Sequence, residues 1–231
     1  MHFDPPLSTG ILHKRYKRFL ADITLDSGES ITAHCPNTGS MLSCSTLGSR
    51  VGVSRSANPQ RKYPYTLEIV EDNGSWVGVN TARSNAIVAE GISQGIISSF
   101  GKVISLQREV KVSAKSRLDI LLDHGKSTTF VEVKNCSLAK DRVAMFPDAV
   151  TKRGTKHLYE LMELVAKGEQ ACIFFLVQRQ DADSFTPAMT IDPEYSTALK
   201  QAAQQGVQVV AWQAKVSPQG ITIHRELAVH L

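Results

Sequence analysis

Between Gln170 and Gln178 the chain reads A-C-I-F-F-L-V, with no polar residue to mark a side that faces water. A strand apolar on both faces belongs in the middle of a sheet covered on both sides, as parallel strands flanked by helices are. The run is far too short to cross a bilayer. The flanking segments fit such a sheet. Asp148 to Lys167 reads as a helix closed by Gly168, with Leu158, Leu161, Met162 and Val165 as its apolar stripe. Asp192 to Gln205 reads as a second helix, stopped by Gly206. Val207–Val216 and Ile221–Val229 read as closing strands about the turn S-P-Q-G.

The same domain begins earlier. Thr81 to Gly95 reads as a helix and Ile104–Val112 as a strand. Arg117 to Lys134, R-L-D-I-L-L-D-H-G-K-S-T-T-F-V-E-V-K, then reads as two strands joined by a polar turn. Residues 81–231 therefore form a mixed-direction α/β domain. Ahead of it the pattern differs: Phe19–Leu25, Ser30–His34, Arg50–Ser54, Thr66–Val70 and Trp76–Val79 are short alternating segments separated by loop formers. Five such strands within residues 1–80 suit a small barrel of the oligonucleotide-binding (OB) type.

With 231 residues the chain is long enough for two cored domains. A net charge of +4 is compatible with an anionic partner without requiring one. The start, M-H-F-D-P-P-L, carries neither part of a secretion signal, so a cytoplasmic location is expected. Cys35, Cys44, Cys136 and Cys172 form no C-x-x-C pair, and reduced structural thiols are the expected state rather than a zinc site.

The chemistry concentrates in the Arg117–Lys134 hairpin. Side chains alternate along a strand, so Glu132 and Lys134 share one face. A two-residue loop at Gly125-Lys126 puts Asp119 opposite Glu132, whereas one more loop residue would set it beside Val133. Two carboxylates can hold a hard divalent cation such as Mg2+, and the lysine beside them can hold a water or offset phosphate charge. Two runs add an expected nucleic-acid contact. Lys14, Arg15, Tyr16, Lys17 and Arg18 form one, and Arg61, Lys62 and Tyr63 the other, mixing phosphate-tracking cations with stacking aromatics. Lys152, Arg153 and Lys156 add a basic patch at a helix start, where the dipole favours anions. His157 reads either as a proton carrier or as a plain packing histidine, and Glu160 as a salt-bridge partner of Lys156.

A helix, three strands, a helix and a strand, with Asp119 on the second strand and E-V-K on the third, resembles the core of the PD-(D/E)xK nuclease superfamily. The resemblance implies Mg2+ held by Asp119 and Glu132, with Glu90 from the first helix joining, and Lys134 positioning water. Leu118 stands where the motif's proline would be; Pro147-Asp148 comes after E-V-K and is not the motif. A second likeness covers more of the chain. R-Y-K-R-F-L-A-D-I, H-C-P-N-T-G-S-M, R-K-Y-P-Y-T, W-V-G-V-N-T-A-R, V-E-V-K-N and F-P-D-A-V-T-K-R-G-T-K-H-L-Y-E-L together are similar to the bacterial sugar fermentation stimulation protein family. That implies an OB-like barrel followed by a nuclease-like α/β domain. It also implies DNA binding without strong sequence preference, single strands or RNA being alternatives, and a regulatory link to maltose metabolism. Magnesium-dependent phosphodiester hydrolysis through Asp119, Glu132 and Lys134 stands as the alternative function.

Overall fold

The computed structural model describes residues 1–113 and 116–231, without the side chains of residues 112, 113 and 116. The first half is a closed five-stranded barrel. Its strands are β1 (Ser8–Tyr16), β2 (Leu20–Leu25), β3 (Ser30–His34), β4 (Arg50–Arg55) and β5 (Tyr65–Asp72), with β6 (Ser75–Gly78) hairpinned onto β5. Strand β1 pairs antiparallel with both β2 and β4. A short parallel pairing of β3 with β5, Ala33–Tyr65 and His34–Thr66, closes the ring. Register shifts at Leu12/Lys14 and Gly52/Val53 supply the local bends that let a small sheet curl onto itself. Leu12, Ile23, Val51, Val53 and Leu67 fill the interior. The sequence hides β1 because His13, Lys14 and Arg15 interrupt its apolar alternation.

The second half is one nine-stranded mixed sheet. After α1 (Ser84–Ser93) come β7 (Ser105–Ser113), β8 (Ser116–Asp123), β9 (Thr128–Cys136), β10 (Leu138–Lys140) and β11 (Val143–Phe146). Then follow α2 (Lys152–Ala166), β12 (Gln170–Val177), β13 (Ser184–Pro187), α3 (Pro193–Gln204), β14 (Gln208–Ser217) and β15 (Gly220–Val229). The strand order is β10-β11-β13-β15-β14-β12-β9-β8-β7. Strand β12 lies between β9 and β14, parallel to both. Its alternating faces serve two cores, with Cys172, Phe174 and Leu176 toward α1 and Ile173, Phe175 and Val177 toward α2 and α3.

Three short strands, β10, β11 and β13, fall where the sequence shows no strand pattern. At three or four residues each, they are too short for alternation to register. Helix α2 starts at Lys152 rather than Asp148, capped by the Thr151 hydroxyl, which accepts from Gly154 N at 3.1 Å. Asp148, three residues ahead of the cap, is used for domain contact instead. Residues 1–7 do not pack in the barrel: Phe3 N and Leu7 N donate to Gln219 O and Pro218 O in the β14–β15 turn. Phe3 and Leu7 are buried with Ile221 and Ile223.

Arg179 ties the halves together. It is only 2% exposed, yet its guanidinium reaches Asp72 in the barrel at 2.9 Å, Asp181 at 2.6 Å and the Ser137 carbonyl at 2.8 Å. No helix among the described residues is long and apolar enough to cross a membrane.

Candidate functional site

The β8–β9 hairpin closes through a two-residue Gly125-Lys126 loop, with His124 N donating to Ser127 O at 3.0 Å. Its ladder runs from Asp123–Thr128 to Ile120–Val131, the register that loop dictates, and stops. At the next step the Asp119 side chain replaces the backbone as partner. Its Oδ2 accepts the Val133 N–H at 2.8 Å, and its Oδ1 accepts from Asn85 Nδ2 in α1 at 2.7 Å. Glu132 is fixed from its other side, where β9 pairs with β12 in the register Ile173–Glu132 and Phe175–Lys134. Lys134 Nζ donates to Glu132 Oε1 at 2.6 Å, and His157 Nδ1 of α2 bonds to the same oxygen. Glu132 is 3% exposed, and its second oxygen, Oε2, is buried with no hydrogen-bond partner.

The electrostatics follow from this packing. Burial, and next the charge of Glu132, push the Asp119 carboxyl up to about 6, against the opposing pull of Val133 N–H, Asn85 and Lys134. Burial also pushes Glu132 up, but the His157 hydrogen bond and the Lys134 charge outweigh it, and its net shift is downward. A charged Glu132 thus faces a reluctant Asp119, an arrangement that a cation relieves. Among the described residues no three His, Cys, Asp or Glu side chains converge as a ready cage, so any ion held there draws the rest of its shell from water, from ligand oxygens or from a side chain that moves in.

The pair opens on a cleft of about 520 Å3 between barrel and sheet. Across from Asp119, Glu132 and Lys134 lie Arg18 and the barrel loop Asn37–Gly39. Asp148 clamps that loop to the sheet domain: its Oδ2 accepts Met41 N at 2.9 Å, and its carbonyl accepts the Ser40 hydroxyl. A Cβ at Gly39 would fall 2.7 Å from Asp148 Oδ1, so this contact requires glycine there. Arg15 sits behind the loop, donating to Asn37 O and Gly39 O at 2.9 Å and to Arg18 O at 3.0 Å. It is a prop for the loop rather than a free cation for phosphate.

The other expected residues divide. Arg153 lines the cleft, its Nε 3.5 Å from His157 Nε2. Lys152 is exposed at the start of α2, and Lys156 pairs with Glu160 at 3.2 Å. Lys17 is exposed on the turn after β1. Tyr16 donates to Asp22 at 3.1 Å with Lys14 over its ring, and Lys62 lies over Tyr63. Arg61 lines a different cleft, with Arg55, Arg83 and the buried Glu68. Glu90 does not join the carboxylates; it pairs with the Met1 amino terminus. Five helical residues rotate it by about 140° from Asn85, the α1 residue that touches Asp119.

Sequence reasoning passed over Asn85, and over an arm at the sheet edge. Beyond Ile120, toward its start, β8 pairs only with β7 among the described residues, so the two strands run on there as a two-stranded ribbon. Lys111 and Arg117, both exposed, sit directly opposite each other on it. Like charges so placed are mildly destabilising unless an anion lies between them.

Comparison with known proteins gives consistent matches. Residues 82–220 match the model of the sugar fermentation stimulation protein RE domain, and residues 14–79 match that of the SfsA N-terminal OB domain. A sugar fermentation stimulation protein homolog of Desulfotalea psychrophila is 56% identical over 94% of this chain and 92% of its own. One of Pelobacter propionicus is 49% identical over 98% of this chain and 99% of its own. Among solved structures, Pyrococcus furiosus SfsA in complex with Ca2+ superposes with a TM-score of 0.90 at 28% identity, covering 100% of this chain and 98% of that one.

Proposed function

The chain belongs to the sugar fermentation stimulation protein family, and from that premise we propose that it binds nucleic acid in the cleft between barrel and sheet and hydrolyses its phosphodiester bonds with a divalent cation. The observation that carries the reading is the juxtaposition of half-buried Asp119 with buried Glu132, with Lys134 alongside, at an open cleft. The orphaned Oε2 of Glu132 fits a cation, since a buried carboxylate oxygen without a donor is otherwise costly. The relative solved with Ca2+ supports the same fit. The order α1, β7, β8, β9 and then, after the short strands β10 and β11, α2 and β12 supports a nuclease-like reading of the domain.

Asp119 and Glu132 would hold Mg2+. Such an ion polarises a phosphoryl oxygen and brings the pKa of bound water toward neutrality. The chain's own groups do the rest. Lys134 stands beside Glu132 as countercharge for an anionic phosphate. His157 holds Glu132 Oε1 and so keeps Oε2 turned away from α2. Arg153, Arg18, Lys111 and Arg117 flank the path a phosphate backbone would take, and contacts to phosphate rather than to bases imply little sequence preference. A regulatory role in sugar metabolism would act through the same grip.

The test is cleavage of labelled single- and double-stranded DNA and RNA by purified protein in Mg2+, Mn2+ or chelator, beside Glu132→Gln and Lys134→Ala. Metal-dependent cleavage lost in both variants supports the reading. Cleavage that survives both removes this cleft as the active site. Salt-sensitive binding without cleavage reduces the protein to a nucleic-acid binder.

A further inference from the structure

Glu90 leaves the cleft a carboxylate short of what its cation was expected to have, and a different residue stands in position. Glu109 lies on β7 opposite Asp119, between the pairs Arg108–Ile120 and Val110–Leu118. Its backbone has φ 58°, in the left-handed region that non-glycine residues seldom enter. Its carboxylate is exposed, yet one contact binds it to the site: Asn85 Nδ2 donates to Glu109 Oε1 at 3.3 Å and to Asp119 Oδ1 at 2.7 Å. One amide group therefore holds two carboxylates from adjacent strands together. A neutral amide supplies only partial positive charge where two anions face each other, and a divalent cation would supply more. Independently, Glu132 Oε2 in the same cleft is buried and without a hydrogen-bond partner, a lone pair that a cation would satisfy.

We propose that Glu109 is a third protein ligand of the divalent cation held by Asp119 and Glu132, entering its shell as the Asn85 amide gives way. The inference rests on the cation reading of the cleft and names a residue of that site. It assigns the acidic contribution to the ribbon β7–β8 rather than to the helix α1. Asn85 is a positioning residue that holds the two carboxylates near each other before the ion arrives. Because Glu109 is exposed, its side chain can move without disturbing the core.

The experiment compares wild-type protein, Glu109→Gln, Glu109→Ala and Glu90→Gln by Mn2+ titration calorimetry, and counts the waters on bound Eu3+ from its luminescence lifetimes in H2O and D2O. Expected are about tenfold weaker Mn2+ binding in Glu109→Gln and at least one additional water on Eu3+ in Glu109→Ala, with Glu90→Gln like wild type. Thermal melting in chelator establishes that each variant is folded. Weaker binding with unchanged Eu3+ hydration overturns the proposal, because Glu109 then acts by charge from a distance. Unchanged affinity and hydration also overturn it while leaving the Asp119–Glu132 site intact. No Mn2+ binding by wild type sinks the site reading and this inference together.

Discussion

Asp119 accepts the backbone N–H of Val133 at 2.8 Å, at the step where the β8–β9 ladder gives out. The site's first carboxylate is thereby part of the sheet's own hydrogen bonding, fixed before any ligand arrives. It is also held against its preference. Burial first, and the Glu132 charge second, raise its carboxyl from the ordinary 3.8 to about 6. Between those values the folded protein binds more protons than the unfolded chain. Stability is therefore greatest at the acid side of this window and falls as pH rises through 6. Asp119→Asn removes that dependence, so between pH 4.5 and pH 7 the metal-free wild-type protein should lose about 1–3 kcal/mol more stability than the variant. Urea midpoints of both proteins at pH 4.5 and 7 check this; equal losses count against it.

The same carboxyl sets how a cation binds. An ion at Asp119 must displace its proton below pH 6 and competes with none well above it. Mn2+ affinity should be flat above about pH 7 and fall by up to about tenfold per unit below 6, one proton being released per ion. Calorimetry in buffers of different ionisation enthalpy reads both the slope and the proton count. A slope absent in this range would place the ion elsewhere.

How much of this was legible in the sequence depends on the distance over which each signal acts. Parity within the Asp119–Lys134 hairpin is a local property, and the Gly125-Lys126 loop fixes the register. The apolar run of β12 announces its central place in the same way. Helix phase defeats the Glu90 reading. The helix was legible, but which of its faces meets Asp119 depends on packing, and Asn85 holds that face. Arg15 reads as a phosphate contact in a basic run. Its partners, Asn37 O and Gly39 O, are brought to it only by barrel closure. His157 could be a surface or a site residue until β9 and α2 pack and bring Glu132 beneath it. Glu109 and Lys111 carry no signal beyond charge in an alternating strand. Their meaning comes from the ribbon's extension past the sheet.

Arg179 supports a prediction about how the two halves cohere. Its guanidinium is buried and shared between Asp72 of the barrel and Asp181 and Ser137 of the sheet domain. Arg179→Met leaves Asp72, 11% exposed, without its partner. Stranding a buried charge costs about 3–5 kcal/mol. The companion Arg179→Met/Asp72→Asn/Asp181→Asn should recover part of the loss, because no charge is then stranded. Urea unfolding of the three proteins measures both steps. If the single variant loses less than about 1 kcal/mol, Arg179 is not the strut its burial implies.

The ribbon's paired cations give the sharpest test of nucleic-acid contact. Lys111 and Arg117 face each other across β7 and β8, and β7 is the last strand of the sheet. Like charges directly opposite cost a few tenths of a kcal/mol up to about 1 kcal/mol, a cost that a phosphate between them reverses. Lys111→Ala/Arg117→Ala should leave stability unchanged or slightly raised while weakening binding to all sequences alike. The log–log salt slope of affinity should become shallower by about two, one for each phosphate that is no longer neutralised. Arg50→Ala, on the barrel and paired with Asp26 at 3.0 Å, is the control expected to leave the slope unchanged. Fluorescence anisotropy of a labelled oligonucleotide at several salt concentrations reads the slopes, and a double variant with the wild-type slope would take the ribbon out of the binding surface.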